Sequence, residues 1–335
     1  MSEQMTPRER VLTALKGGTP DRVPWVESYV HGSLVNKILG REVVPVNGAR
    51  FAAEIHEKLC LDNITYDFRP PIYAEKEMRG DLEMIKTPKL KNWEDLEAMK
   101  KWLPDPYDDA FYKNAESLLK QKGEYAAVVG VRLGISNVYN SMGYEDFIFG
   151  LYDNPEFVTA CFETFGDWCS RVIERVNEMD FDLAWISEDI AFQTGPMVTV
   201  EQYEKYIFPY AKKVADKIRH PVVYHSDGDY MPVLPFILQY NPSGIANLEP
   251  PVMDIFKLKE THGDRVCLVG NIDLHYTLTR GTADETRSEV KEKIERVGKG
   301  GGYIIASANG LASYCIPENV LAMNETILKY GYYNE

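Results

Sequence analysis

The sequence predicts an α/β protein of the TIM type, a closed (β/α)8 barrel with an N-terminal helical elaboration. Short apolar runs rich in β-branched residues alternate with helical patterns along most of the 335 residues. Eight such strand and helix units favour a closed barrel over an open doubly wound sheet. The first predicted strand also lacks the GxGxxG motif that follows the first strand of a dinucleotide-binding sheet.

The chain begins with a short predicted helix over residues 6–16. Thr6 is a suitable N-cap, Pro7 occupies the first helical position, and Gly17 ends the helix. The eight predicted strands lie at residues 23–29, 63–67, 126–133, 183–187, 222–225, 244–248, 266–271 and 303–308. Helices are expected in the region leading to residue 59 and at 94–102, 109–121, 154–179, 199–218, 230–240, 252–262, 282–298 and 317–330.

Residues 68–93 lack a clear period and contain three prolines. We therefore expect an irregular excursion there, which could cover one face of the fold. No low-complexity linker or internal repeat divides the chain. The sequence thus predicts a single domain over residues 1–335.

Composition narrows the possible partners and the compartment. The net charge of −14 disfavours nucleic acid or an anionic membrane as the main partner, because both require a basic surface. No run approaches the roughly 18 apolar residues of a membrane span, and the first ten residues are too polar for a secretory signal. The five cysteines show no CxxC spacing, so disulfides and a cysteine-rich zinc site are not expected. We expect a cytoplasmic protein.

Polar residues collect at the carboxyl ends of the predicted strands, where a barrel enzyme holds its active site. These residues are Glu27, Tyr29, His31, Tyr66, Asp67, Arg132, Ser187, Glu188, Asp189, His225, Asp227, Asn247, Glu249, Asn271, Asp273, Ser307 and Asn309. Each could instead cap a helix or turn. We predict catalytic roles for His225 and Asp227. The predicted substrate-binding residues are Trp25, Tyr29, His31 and Asn271.

Three residues could hold a metal ion. Asp189 and His225 end two neighbouring predicted strands, and Glu204 lies early in the helix between them. Two carboxylates and an imidazole suit Zn²⁺ with one open coordination position. Glu204 could alternatively stabilise the amino end of its helix, and His225 could have a structural role. Asp227 could be an additional or alternative ligand, or could orient the imidazole.

Several motifs resemble the uroporphyrinogen decarboxylase superfamily. They are TPRERVLTAL at residues 6–15, PDRVPW at 20–25, HSDG at 225–228, GNID at 270–273, and NG at 309–310 followed by IPENV at 316–320. The resemblance implies a TIM barrel, in agreement with the independent strand count. The superfamily includes decarboxylases and corrinoid-linked methyltransferases.

The decarboxylases resemble one another in an Arg-Gln-Ala-Gly-Arg segment after the first strand, whose arginines meet the carboxylates of the substrate. The corresponding stretch here, WVESYVHG at residues 25–32, contains no arginine. The predicted barrel mouth instead carries Glu27, Glu188 and Asp189. Decarboxylation of uroporphyrinogen, which bears up to eight carboxylates, is therefore disfavoured.

The methyltransferases of the superfamily provide a closer match. The methylcorrinoid:coenzyme M enzymes hold zinc with a His-x-Cys pair and a later cysteine, whereas this chain has His225, Asp227 and Asn309 at the matching places. Oxygen donors suggest a harder Lewis acid that acts on an oxygen atom. The ether-cleaving enzymes resemble one another in a Glu-x14-Glu-x20-His zinc pattern. This chain reads Asp189-x14-Glu204-x20-His225, with a shorter carboxylate in the first place.

The resemblance implies a zinc-dependent methyltransferase that demethylates methoxylated aromatics. The cobalamin should reside on a separate corrinoid protein, because the Asp-x-His-x-x-Gly type of cobalamin-binding sequence is absent. Alternatives are methyl transfer from a methylcorrinoid to a thiol or folate, a uroporphyrinogen decarboxylase-like reaction, and a non-catalytic barrel that binds a corrinoid protein or small ligand. Association into homodimers is left open.

Overall fold

In a computed structural model, which describes residues 4–79 and 82–333, seven parallel strands form one curled sheet at the centre of an α/β barrel. Each strand pairs with the next one along the chain. The strands are β1 (Asn63–Asp67), β2 (Ala126–Val131), β3 (Leu183–Ser187), β4 (Val222–His225), β5 (Gly244–Ala246), β6 (Cys267–Val269) and β7 (Tyr303–Ile304). The predicted TIM-type architecture is confirmed.

The predicted first strand, residues 23–29, forms one isolated bridge, from Trp25 to Ile305, and not a regular ladder. The Val26 amide donates to the Ile305 carbonyl beside β7, at 3.1 Å. On its other side, the Asp62 amide donates to the Trp25 carbonyl, while the Trp25 amide donates to the Asp62 carboxylate. Because a side chain replaces one backbone partner, this edge is irregular. The segment nevertheless connects both edges of the curled sheet.

Helices cover the outside of the barrel. The α-helices are Pro7–Leu15, Gly32–Leu39, Trp93–Trp102, Lys113–Leu119, Ile135–Met142, Tyr144–Asp153, Pro155–Val176, Val200–Gln202, Phe208–Ala215, Leu234–Ile237, Ile255–His262, Ala283–Arg296 and Pro317–Tyr330. A π-helical segment, Tyr203–Ile207, connects Val200–Gln202 to Phe208–Ala215. No helix among the described residues combines the length and the apolar character that a membrane crossing requires.

The excursion at residues 68–93 is not wholly irregular, as the sequence had suggested. Ala74–Arg79 and Leu82–Pro88 form an antiparallel hairpin. The first of these strands has no buried residue. A strand without a buried face needs no alternation of apolar and polar residues, so periodicity could not reveal it.

The strands separate two apolar layers. The inner layer lies within the barrel and includes Val11, Leu15, Trp185 and Val223. The first two belong to the N-terminal helix, which packs against β2 and β7 and closes the amino end of the barrel. The outer layer fills the space between strands and helices. Because successive side chains of a strand alternate between these layers, position along the strand decides which side chains reach the barrel interior.

Candidate functional site

A cavity of ≈ 270 Å³ opens at the carboxyl ends of the strands, here called the barrel mouth. This is the end at which TIM barrels hold their active sites. The lining residues are Ser28, Tyr29, Arg50, Thr65, Asp67, Arg69, Gly130, Arg132, Trp185, Ser187, Asp189, His225, Asp227, Asn309, Gly310, Ala312 and Tyr314.

The alternation of the strands explains which polar residues reach this cavity. Trp185 belongs to the inner layer, and residues 187 and 189 share its face of the extended chain. The same relation on β4 connects inner-layer Val223 with His225 and then Asp227. The segments that follow β3 and β4 therefore direct their polar side chains into one cavity.

Asp189, His225 and Asp227 form a candidate metal centre. One ligand atom from each lies within 4.8 Å of the other two. The His225 Nε2 atom lies 3.4 Å from Asp227 Oδ1, and the Asp227 amide donates to Asp189 Oδ1 at 3.2 Å. His225 is only 6% exposed, and its Nδ1 atom is buried without a hydrogen-bond partner among the described residues. A donor set of two carboxylates and an imidazole, with an unsatisfied nitrogen, fits a zinc ion.

Asp227, whose role the sequence left open, is held by two amides. Asn309 Nδ2 donates to both carboxylate oxygens, at 3.0 and 3.2 Å. The Asn247 side chain donates to the Oδ1 atom. Hydrogen bonds of this kind orient a carboxylate, as is usual around metal ligands.

Glu188 precedes Asp189 but points to the opposite side of the strand. Its fully buried carboxylate accepts hydrogen bonds from four successive backbone amides, at 2.5 to 3.3 Å. These amides belong to residues 133–136, where the helix Ile135–Met142 begins. A helix amino end attracts negative charge because its first amides have no partner within the helix. Glu188 thus anchors the end of β3 and does not line the cavity.

Glu204 is the predicted ligand that the structure does not bring to the other two. It is exposed, and it is absent from the cavity lining and from the cluster of possible ligands among the described residues. Its neighbours Tyr203 and Ile207 are buried, so the π-helical segment turns Glu204 towards solvent. The geometry groups Asp227 with Asp189 and His225, in place of Glu204.

Of the four predicted substrate-binding residues, only Tyr29 lines the cavity. Its ring lies 4.6 Å below the Arg50 guanidinium carbon. His31 meets the edge of the Tyr29 ring, with ring centroids 6.0 Å apart. The His31 side chain also accepts from the Ser33 amide as the N-cap of the helix Gly32–Leu39.

Trp25 and Asn271 are buried away from the cavity lining. The Trp25 indole donates to the Glu27 carboxylate at 2.8 Å and belongs to the outer apolar layer. The Asn271 side-chain amide donates to the Leu248 backbone carbonyl. Trp25 misses the cavity because successive side chains of an extended segment point to opposite sides, and its neighbour Val26 occupies the inner layer.

Glu27 is fully buried beside Trp25 and Ser307. Its Oε1 atom accepts from the Trp25 indole and the Ser307 amide, and its Oε2 atom lies 2.6 Å from the Ser307 hydroxyl. Burial raises the pKa of this carboxyl to about 7, although the hydrogen bonds from Ser307 and Trp25 oppose the shift. Glu27 is also absent from the cavity lining, contrary to the sequence-based expectation.

This shift predicts a pH-dependent stability. Because the pKa of Glu27 is higher in the folded than in the unfolded chain, its contribution is fully present below about pH 4.5 and is lost by about pH 7. The loss is on the order of 3 kcal/mol. Glu27→Gln should remove this pH dependence, since the side-chain amide does not titrate and can reproduce the hydrogen bonds of the protonated acid. Urea unfolding of both proteins between pH 4.5 and 7.5 checks this, and parallel curves would contradict it.

Sequence reasoning missed much of the positive charge of the cavity. Arg50, Arg69 and Arg132 all line it, and of these only Arg132 stood among the strand-end candidates. Arg69 follows Asp67 by two residues and shares its face of the chain, a signal that was available. Arg50 lies outside any helix or strand, where no periodicity marks it.

Comparisons with known proteins bear on the family and the fold. The family model for uroporphyrinogen decarboxylase (URO-D) matches residues 74–330. The methylcobamide:CoM methyltransferase MtbA of Methanosarcina mazei is 22% identical over 98% of this chain and 99% of its own length. MtbA of Methanosarcina acetivorans is 23% identical over the same shares. A methyltransferase structure from Methanosarcina mazei superimposes with a TM-score of 0.77 at 17% identity, over 97% of this chain and 99% of that one.

The structural likeness supports the barrel fold, and the sequence relatives span the chain almost completely. The family match covers well over half of the residues. One of the motifs that suggested the superfamily, HSDG at residues 225–228, contains His225 and Asp227 of the candidate metal centre. The chain therefore belongs to the uroporphyrinogen decarboxylase (URO-D) family, and the two relatives that it matches over nearly their full length are methylcobamide:CoM methyltransferases.

Proposed function

We propose that this protein is a zinc-dependent methyltransferase that cleaves aryl methyl ethers and passes the methyl group to the cob(I)alamin of a separate corrinoid protein. The observation that carries the proposal is the cluster of Asp189, His225 and Asp227 in a cavity at the barrel mouth. Oxygen donors stand there in place of the cysteines that the thiol-activating relatives use. The relatives named as methyltransferases support the reaction class.

The three clustered side chains would hold the zinc ion. When bound, zinc would polarise the ether oxygen and stabilise the negative charge of the departing phenolate. Asn247 and Asn309 keep the Asp227 carboxylate oriented, and the Asp227 backbone amide donates to the Asp189 carboxylate. The residues of the chain therefore prepare the site before substrate arrives, which limits the reorganisation required during reaction.

The cavity suits a molecule with one aromatic ring. Its volume of ≈ 270 Å³ is too small for a tetrapyrrole, which disfavours a uroporphyrinogen decarboxylase-like reaction. Tyr29, Trp185 and Tyr314 line it and can pack against a flat ring. In the reaction the bond between the methyl carbon and the oxygen breaks, and its electron pair stays on the oxygen. The cobalt(I) of the partner supplies the pair for the new bond to the methyl carbon.

Methyl transfer can be measured directly with zinc-containing protein, free cob(I)alamin and a panel of methoxyphenols. The expected result is loss of the cob(I)alamin absorbance together with release of one phenolic product per methyl group. Boiled protein and protein treated with a chelator are the controls. Absence of both changes with every methoxyarene, in protein that contains zinc, would contradict the proposed reaction.

A second candidate is methyl transfer from a methylcorrinoid to a thiol or folate acceptor. The printed activity of the MtbA relatives, methylcobamide:CoM methyl transfer, favours a thiol. The oxygen donors at Asp227 and Asn309 oppose it, because a thiolate-rich site better suits thiol activation. Methylcobalamin incubated with 2-mercaptoethanesulfonate or tetrahydrofolate would show cob(I)alamin formation only under this alternative.

The ligand set itself yields a prediction. Asp227→Asn should lower zinc affinity by about 10-fold to 100-fold, because the change removes the negative charge of a carboxylate in the cluster. Glu204→Gln should leave zinc affinity unchanged, since Glu204 is exposed and outside the cluster. Competition with a zinc-sensitive dye measures both. The reverse pattern would restore the ligand set that the sequence spacing predicted.

A further inference from the structure

The wall of the cavity beside the candidate metal centre is rich in guanidinium groups. Arg50, Arg69 and Arg132 come from three different parts of the chain and line the same space. Asp67 pairs with two of them, at 3.1 Å from Arg50 Nε and 2.8 Å from an Arg69 terminal nitrogen. Gly130 makes room for this carboxylate, since a Cβ atom there would lie 1.6 Å from Asp67 Oδ1.

Arg132 differs from the other two arginines, because it forms no ion pair with any residue in the described ranges. One of its terminal nitrogens is buried without a hydrogen-bond partner there. Buried donors of charged groups normally have partners, because an unsatisfied one costs free energy. Arg69 lies nearby, and burial lowers its pKa to about 10, with Arg132 and Arg50 adding to the shift while Asp67 opposes it. An anion in the cavity would accept a hydrogen bond from the unpartnered nitrogen of Arg132 and would stabilise the charge of Arg69.

The charges around the cavity lead to the same conclusion. Three arginines and three aspartates line it, the latter being Asp67, Asp189 and Asp227. Their formal charges cancel. A divalent metal on the cluster would add two positive charges, so the metal-containing cavity favours a substrate that carries negative charge.

We propose that Arg132, assisted by Arg69, forms an anion subsite that binds a carboxylate group on the substrate. This deepens the proposed function and rests on it, since it makes the methyl donor a methoxylated aromatic acid. Guanidinium groups bind carboxylates through two parallel hydrogen bonds, so the subsite would also fix the orientation of the ring. The methyl ether could then face the metal centre while the carboxylate meets Arg132.

Binding can be tested without cobalamin. Trp185 lines the cavity and can report occupancy through its fluorescence. Zinc-containing protein should bind 4-hydroxybenzoate at least about 10-fold more tightly than phenol, the range expected for a charged hydrogen bond. Arg132→Gln should abolish this preference, and Arg132→Lys should retain part of it, because lysine keeps the charge but loses the planar pair of donors. Equal binding of both ligands by the unaltered protein would overturn the subsite.

Arg219→Gln is the matched control. Arg219 is exposed and pairs with Glu178 on the surface, so its loss should leave the preference for 4-hydroxybenzoate intact. Urea unfolding of the Arg132 variants establishes that they fold. A folded Arg132→Gln protein that still prefers 4-hydroxybenzoate would overturn the assignment. Stronger, Arg132-dependent binding of 2-mercaptoethanesulfonate than of 4-hydroxybenzoate would likewise overturn the aromatic acid and indicate a sulfonate.

The subsite and the reaction can fail separately. Demethylation of a methoxyphenol as efficient as that of 4-methoxybenzoate would retain the methyltransferase and reject the subsite. Arg132-dependent binding of 4-hydroxybenzoate without methyl transfer from any methoxyarene would reject the reaction, while the anion subsite would stand.

Discussion

Replacing His225 by alanine is expected to remove bound zinc and to reduce methyl transfer at least about 100-fold. The imidazole is the nitrogen donor of the candidate cluster, and the side chain is buried. Without it, Asp189 and Asp227 would remain as two neighbouring carboxylates that repel one another. A zinc ion held by only two protein ligands would be bound weakly. Zinc content per chain and the rate of cob(I)alamin methylation measure the two effects.

His262→Ala is the appropriate control for this experiment. His262 ends the helix Ile255–His262, lies outside the cavity lining and contacts the Thr261 hydroxyl. Its replacement should leave zinc content and methyl transfer unchanged. A His225→Ala protein that retains stoichiometric zinc and normal turnover would exclude His225 as a ligand and would remove the main support for the proposed function.

Replacing Glu188 by glutamine is expected to lower the free energy of unfolding by about 3–5 kcal/mol. The carboxylate accepts from four backbone amides, whereas a glutamine offers one acceptor oxygen and directs an NH₂ group at the remaining donors. It also removes a full negative charge from the amino end of the helix Ile135–Met142. Urea unfolding followed by circular dichroism measures the change.

The matched control is Glu178→Gln, since Glu178 forms an exposed pair with Arg219 and should contribute less than about 1 kcal/mol. Because Asp189 follows Glu188 directly, the Glu188→Gln protein should also bind zinc more weakly. A change in stability as small as that of Glu178→Gln would show that the amides of residues 133–136 do not depend on this carboxylate.

Several strands could be placed from the sequence almost to the residue. The bounds of β1, β3 and β4 coincide with the predicted ranges, because each is a short segment rich in apolar, β-branched or aromatic residues. The helices Ile135–Met142 and Tyr144–Asp153 were not predicted. The first is only eight residues long, about two turns, which is too short for a sequence period to establish a helix. Its amino end depends on Glu188, which is distant in sequence.

The candidate site was predictable where it follows directly from strands. Asp189 and His225 end two adjacent strands of a barrel, so the sequence could bring them together. Glu204 satisfied a spacing pattern, but the register of the π-helical segment turns it to solvent. The sequence could not tell which side of its segment Trp25 faces. In the structure Val26 belongs to the inner layer, so Trp25 points away from the barrel interior.

The sequence by itself determined the barrel, the family and the strand ends that carry His225 and Asp227, because hydrophobic periodicity and local motifs are properties of neighbouring residues. Only the tertiary structure decided that Asp227 joins Asp189 and His225 and that Glu204 does not. It alone showed that Arg132 reaches the same cavity without an ion-pair partner among the described residues. The reason is physical: distances between side chains of different strands, and the burial that leaves a donor unsatisfied, arise only when the sheet curls and its inward faces meet.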